Sequence, residues 1–214
     1  MKYKVFVINA YEDRKDKYLN DERYTLFEAV QWTDIKDDVL EKYHFRWNAK
    51  DELKRKICAC SESHLKCLKY IYDNKIDHAI IIEDDAILNF DRLNELDDIG
   101  EFTYVGGMFF PPLIKDTKDF IKPLFDKGLH SIDTERFVIH NCHGMYIPNH
   151  KLVPPLMRQS HKKRRAIDHE LKQMQLRKEI KYFIYPAISS LHIEDANKGF
   201  TWSSYKLPDP LLKY

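Results

Sequence analysis

His78-Ala79-Ile80-Ile81-Ile82-Glu83-Asp84-Asp85-Ala86-Ile87-Leu88 decides how this chain is read. Ala79 to Ile82 form an apolar, mostly β-branched run without a polar break, the pattern of a strand buried on both faces. The run ends in three consecutive acids. In open α/β sheets ligands bind beyond the carboxyl ends of the strands, so these carboxylates arrive at the edge where chemistry is done. Alternating side-chain direction predicts Glu83 and Asp85 on one side and Asp84 on the other. Acids crowded within ~4–6 Å raise one another's pKa. A divalent cation that prefers oxygen relieves that conflict and can bridge to a diphosphate. The same triplet is also compatible with a strand end finished by solvated acids, or with a metal-dependent phosphohydrolase or nuclease.

Working outward, strands and helices alternate. Val5-Phe6-Val7-Ile8 predicts a first buried strand, followed by a turn at Asn9–Arg14 and a helix over Asp13 to Leu19. Leu26–Val30 predicts a second strand, and Asp34 to Tyr43 a helix. The longest helical pattern covers Asp51 to Asp73, with Leu53, Ile57, Cys60, His64, Cys67, Leu68 and Ile71 at three- and four-residue spacings and neither Gly nor Pro. Further strands are predicted at Thr103–Val105, Phe137–Ile139, Gly144–Ile147 and Tyr182–Tyr185, and a helix over Arg165 to Ile180. Pro111 to Asp133 has no clear period and reads as a loop. The expected architecture is a single α/β domain over residues 1–214, a mixed and mostly parallel sheet flanked by helices.

Composition sets the outer bounds. The 214 residues carry 35 Lys+Arg and 34 Asp+Glu, a net charge of +1, which removes the whole-chain electrostatic argument for nucleic acid. A hydrophobic content of 43% supports a sizeable core and excludes intrinsic disorder. No apolar run approaches the ~20 residues of a transmembrane helix, and the start of the chain reads as a strand rather than a secretory signal. A cytoplasmic setting is expected. Cys58, Cys60, Cys67 and Cys142 do not form a disulfide or zinc-knuckle pattern and read as structural thiols. His161-Lys162-Lys163-Arg164-Arg165 is the one basic cluster, a solvated helix entry or a surface for an anionic acceptor or a membrane.

Several segments, in order, resemble glycosyltransferase family 25, the lipopolysaccharide-biosynthesis and procollagen galactosyltransferase-like enzymes. Val7-Ile8-Asn9 with Arg14 is similar to the family's opening strand and turn, and Phe27–Val30 to its second strand. Cys60-Ser61-Glu62-Ser63-His64 is similar to its Cys-x-x-Ser-His helix, with Ala59 in place of the customary glycine. Ile82-Glu83-Asp84-Asp85 is similar to its Glu-Asp-Asp motif. Gly144–Ile147, Ile167-Asp168-His169 and Tyr185-Pro186 follow in sequence. The resemblance implies a GT-A-like fold, a nucleotide-sugar donor with UDP the expected nucleotide, a Mn2+ or Mg2+ ion, and a hydroxyl acceptor on a glycan or glycoprotein.

Roles are assigned on that basis, each beside its plainer alternative. Asp85 is the first choice for metal contact, with Glu83 as its partner or as a ribose acceptor, and Asp84 beside them. His192 is placed as a late metal ligand, against an ordinary loop histidine. Asp168 is the candidate base toward the acceptor hydroxyl, against a first-turn acid favoured by the helix dipole. Asn9 and Arg14 are expected at the base or phosphates, and Thr33 and Asp34 at uracil or ribose. Tyr11 or Trp32 could stack on the base, or simply pack. Ser63 and His64 lie beside the donor by the resemblance, although periodicity alone allows a core histidine. Lys54 and Arg55 either touch a diphosphate or are solvated. A non-catalytic nucleotide-sugar-binding module is the remaining alternative.

Overall fold

The computed structural model describes residues 2–45, 50–110, 125–158, 164–190 and 201–202. The buried run of the first strand becomes β1 (Lys4–Asn9), flanked in parallel by β2 (Tyr24–Glu28) and by β3 (Ala79–Glu83). Beyond β3 come β7 (Val138–Ile147), β5 (Thr103–Phe110), β8 (Tyr182–Tyr185) and β6 (Gly128–Ser131), with β10 (Thr201–Trp202) also beside β5. β7 runs antiparallel to both β3 and β5, and β6 antiparallel to β8. The sheet is therefore mixed, with its parallel block at β2-β1-β3.

Helices cover both faces, which is why β1 and β3 read as continuous apolar runs. Phe6, Ile8 and Ile81 pack on one face with Cys67, Leu68 and Ile71 of α3 (Asp51–Asp73) and Leu171 and Met174 of α5 (Ile167–Leu176). Val5, Val7, Ile80 and Ile82 face the other way, against Tyr18 of α1 (Glu12–Leu19) and Leu93 and Leu96 of the 3-10 segment Phe90–Leu96. At roughly 1.5–3 kcal/mol per fully buried aliphatic or aromatic side chain, this two-sided burial is the main stabilising contribution.

α3 spans the residues that periodicity predicts, while several other elements differ. The helix expected over Asp34–Tyr43 is a 3-10 turn at Trp32–Asp34 followed by the four-residue α2 (Asp37–Leu40). The helix expected over Arg165–Ile180 is confined to α5. The strand at Thr103–Val105 continues through Gly106-Gly107 to Phe110. The two strands expected at Phe137–Ile139 and Gly144–Ile147 are one, β7, because the polar stretch His140-Asn141-Cys142-His143 stays in the sheet although it breaks the apolar period. Residues 111–124 of the expected loop lie outside the described residues, and β6 follows them.

The long Gly-containing strand has a packing reason. β9 (Ser189–Ser190), which pairs with β4 (Ile87–Leu88), crosses the sheet at the facing pair Gly106–Gly144. A Cβ on Gly106 would lie 2.4 Å from the Ser189 carbonyl oxygen, and one on Gly144 would lie 2.6 Å from the Gly106 nitrogen. Ser189 Oγ also donates to the His143 carbonyl at 2.5 Å. The obstruction is backbone, which yields poorly. Gly144→Ala is therefore expected to destabilise the fold by about 1–3 kcal/mol, read as a lower urea midpoint with an unchanged slope.

Candidate active site

The three parallel strands end at one edge. Ile8 of β1 is in register with Glu83 of β3, and Asn9 with Glu28 of β2. Immediately past β3 the acids separate by role. Asp84 is buried, 4% exposed. Its Oδ2 accepts from Ala10 N at 2.7 Å and Tyr11 N at 3.0 Å, and its Oδ1 from Arg14 Nη1 at 2.8 Å. The middle carboxylate thus pins the β1–α1 turn, a carboxylate at a helix start where backbone N–H groups are unsatisfied. The pleat ends at Glu83, so the expected strand alternation does not extend to the other two acids. Asp84 and Asp85 lie in the turn that follows, where Ala86 N donates to the Glu83 carbonyl at 2.9 Å, and the Asp85 side chain is left 45% exposed.

Five consecutive residues of α3 organise what surrounds them. His64 Nε2 meets Glu83 Oε1 at 3.0 Å, and Cys60 Sγ lies 3.7 Å from the same oxygen, the two side chains sharing a helix face at four-residue spacing. Ser61 Oγ accepts from Ile167 N at 3.0 Å and so anchors the start of α5. Glu62 binds Arg164 and accepts from Tyr43 Oη at 2.8 Å. Ser63 Oγ accepts from Val30 N at 2.8 Å and donates to the Ala59 carbonyl, fixing the chain after β2. Ser63 is fully buried and structural in its bonding rather than open to a ligand.

α5 completes the site from the other side. Asp168, in its first turn, has Oδ2 3.1 Å from His140 Nδ1 of β7, and its Oδ1 accepts from His169 N at 2.7 Å. One turn pair further on, Gln175 accepts from Ile139 N at 2.8 Å and donates to the Ile139 carbonyl at 2.7 Å. Its amide stands in for a neighbouring strand, since β3 reaches only Met145–Ile147 of β7. Gln175→Ala leaves both backbone groups unpaired, and a loss of about 2 kcal/mol in urea unfolding is expected.

The electrostatics follow from this crowding. Burial pushes Glu83 up, but the His64 hydrogen bond and charge, with His143, outweigh it and hold the carboxyl below its ordinary value. Burial and then the charge of Glu83 raise Asp85 from its ordinary value, against His143 and Arg14. For Asp168, burial is outweighed by the His140 hydrogen bond and charge and by His169, so its pKa falls to about 2. Burial, then Glu83 and Asp168, push the Cys60 thiol well up, although Cys60 is solvent-accessible.

Asp168 carries a pH prediction. Its folded-state pKa lies below the ordinary 3.8, so its contribution is complete above that value and is lost as pH falls through about 2. The contribution is about 2 kcal/mol. In Asp168→Asn, stability measured by urea unfolding should therefore fall less between pH 7 and pH 2 than it does in the wild type.

Residues 3–105 match the family model described as glycosyltransferase family 25 (LPS biosynthesis protein). This part of the chain is similar to glycosyltransferase family 25. The mixed sheet accords with the GT-A-like fold of the resemblance. The matched segment holds β1, α3 and the Glu83–Asp85 edge, whereas His140 and Asp168 lie beyond it. No curated protein matches the chain at a significant level.

Within the matched segment, Asn9 is 8% exposed at the end of β1 and its Oδ1 has no hydrogen-bond partner among the described residues. Arg14 is committed to Asp84, with Asp85 3.8 Å away. Thr33 and Asp34 are exposed after β2. Lys54 pairs with Asp51, and Arg55 with Asp37 and the Ile35 carbonyl, so both have intramolecular partners. Tyr11 stacks under the Arg14 guanidinium, and Trp32 under Lys56. Cys58 and Cys67 are buried structural thiols, and Cys60 is the exception. His192, residues 161–163 of the basic run and the Cys142 side chain lie outside the described residues. His140 and His143 carried no sequence signal beyond the polar interruption of their strand. A regular strand would direct side chains three apart to opposite faces; here β7 has two residues more than β5 between the pairs Gly106–Gly144 and Met108–His140. Such irregularities re-aim side chains beside active sites.

No helix among the described residues is long and apolar enough to cross a membrane.

Proposed function

We propose that this chain is a metal-dependent glycosyltransferase that moves a sugar from a nucleoside-diphosphate sugar, UDP the nucleotide, to a hydroxyl of a glycan or glycoprotein. The observation that carries the reading is the division of the acids, with Asp84 tied into the fold and Glu83 and Asp85 left beside it at the strand end. Two neighbouring carboxylates with hard oxygen donors, one of them held up by the other's charge, are a donor set suited to Mn2+ or Mg2+. A cation held by Glu83 and Asp85, with His192 as the third ligand from the protein, would supply positive charge for the diphosphate leaving group. Asn9 Oδ1, an acceptor without a donor, suits an N–H of the base such as that of uracil or a ribose hydroxyl. His64 holds Glu83 in place, and Asp168 heads the group that deprotonates the acceptor.

A thermal-shift panel of nucleoside diphosphates and their sugars, with and without Mn2+, tests this. Metal-dependent stabilisation by a uridine diphosphate compound, followed by sugar transfer to a hydroxyl acceptor, is the expected result. Phosphate-ester turnover without an acceptor would instead place the chain among phosphohydrolases, and donor binding without transfer would make it a binding module.

A further inference from the structure

We propose that His140, held by Asp168, is the group that takes the proton from the acceptor hydroxyl. The assignment rests on the transferase reading above and deepens it. Asp168 has both oxygens engaged, Oδ2 with His140 Nδ1 at 3.1 Å and Oδ1 with the backbone N–H of His169 at 2.7 Å. A carboxylate stabilised this way is a weak base, because general-base efficiency requires a pKa near the working pH. The same contact makes the imidazole a good one. A carboxylate on Nδ1 selects the tautomer protonated there and leaves the Nε2 lone pair to accept a proton.

The surrounding chain holds this pair at the donor carboxylates. The link runs through α3, whose Cys60 and His64 meet Glu83 and whose Ser61 accepts from Ile167 N, one residue before Asp168, so the pair is tied to the same helix as the end of β3. The two extra residues of β7 aim His140 at α5, and Gln175 clamps the preceding residue, Ile139. Ser61 fixes the N-terminal turn of α5 from α3. The His169 ring lies edge-on at 5.2 Å and the Phe110 ring at 4.9 Å, giving the imidazole an aromatic seat. Its charged and titratable neighbours are Asp168 and His169 on α5, with His143 further along its own strand.

In the reaction the acceptor O–H bond breaks and its proton passes to His140 Nε2. The oxygen's electron pair forms the new bond to the anomeric carbon. The bond from that carbon to the diphosphate oxygen breaks, its electron pair leaving on the nucleoside diphosphate. Asp168, a positioning residue, stabilises the imidazolium that results.

The test compares wild type with His140→Asn, whose amide nitrogen replaces Nδ1 and keeps the Asp168 contact while removing Nε2, using UDP-galactose and UDP-glucose with Mn2+ and a sugar acceptor. Donor Kd should change less than about twofold, while kcat falls by roughly 10²–10⁴. The acid limb of the wild-type kcat profile should be absent from His140→Asn. Asp168→Asn should lower kcat but retain an acid limb, moved to lower pH because the imidazolium has lost its carboxylate. If His140→Asn does not bind donor, His140→Gln, whose amide reaches the Nε2 position but is not basic, removes the base in a second way. Wild-type transfer with kcat within threefold in either His140 variant, or with an unchanged acid limb, overturns this assignment alone. Absence of transfer by the wild type overturns the transferase reading and this assignment together.

Discussion

Asp84→Ala is expected to destabilise the protein by about 3 kcal/mol, more than any other single change among the three adjacent acids. Three donors converge on this buried carboxylate, two backbone N–H groups and a guanidinium. Removing one partner of a buried, hydrogen-bonded charge typically costs about 3–5 kcal/mol. The lower end applies because Arg14 is 40% exposed and can be rehydrated. The Ala10 and Tyr11 amides lose their acceptor. At about 2–4 °C per kcal/mol for a chain of this size, the melting temperature should fall by about 6–12 °C. A drop under 2 °C would mean that the β1–α1 turn does not depend on Asp84. Since that turn carries Asn9, donor affinity should weaken as well.

The opposite pattern is expected one residue later. Asp85→Ala should reduce transfer by about 10³-fold, in line with the loss of one preorganised electrostatic group, while leaving stability unchanged or raised. The sign follows from the direction of its pKa. A folded-state value above the ordinary one contributes stability that is complete below the unfolded pKa and lost as pH rises through the folded value. At neutral pH the Asp85 charge therefore opposes folding, so its removal does not. Glu83→Gln should lose activity similarly, but it also disturbs His64, whose Nδ1 already lacks a partner among the described residues. Asp85→Ala is the cleaner variant. Melting temperature and transfer rate measured on Asp84→Ala and Asp85→Ala together separate a structural acid from a reactive one. Equal losses in both properties for both variants would contradict the division.

Much of the frame was legible because its signals are local. The apolar runs of β1 and β3 mark strands covered on both faces, and the α3 periodicity runs without interruption over 23 residues. The arrival of three acids at the end of β3 is equally local, but their alternation is not, because the chain turns after Glu83. Legibility fails where tertiary contacts override local preference. His140-Asn141-Cys142-His143 looks like a break between strands, yet β5 pairs beside it and Gln175 caps its open edge. Ser63 reads as a donor contact, but its hydroxyl is consumed by Val30 and Ala59. Lys54 and Arg55 read as diphosphate contacts or solvated side chains, and both have acidic partners nearby.

The sequence by itself determined the strand–helix alternation, the buried parallel block, and the delivery of three carboxylates to one sheet edge, because burial and side-chain period are properties of neighbouring residues. Which carboxylate holds the fold and which remain at the site was decided only by the tertiary structure. So was the meeting of Asp168 with His140, 28 positions apart in number and on different elements. Hydrogen-bond partners of that kind are set by how α5 docks against β7, a consequence of packing the whole core that no local pattern encodes.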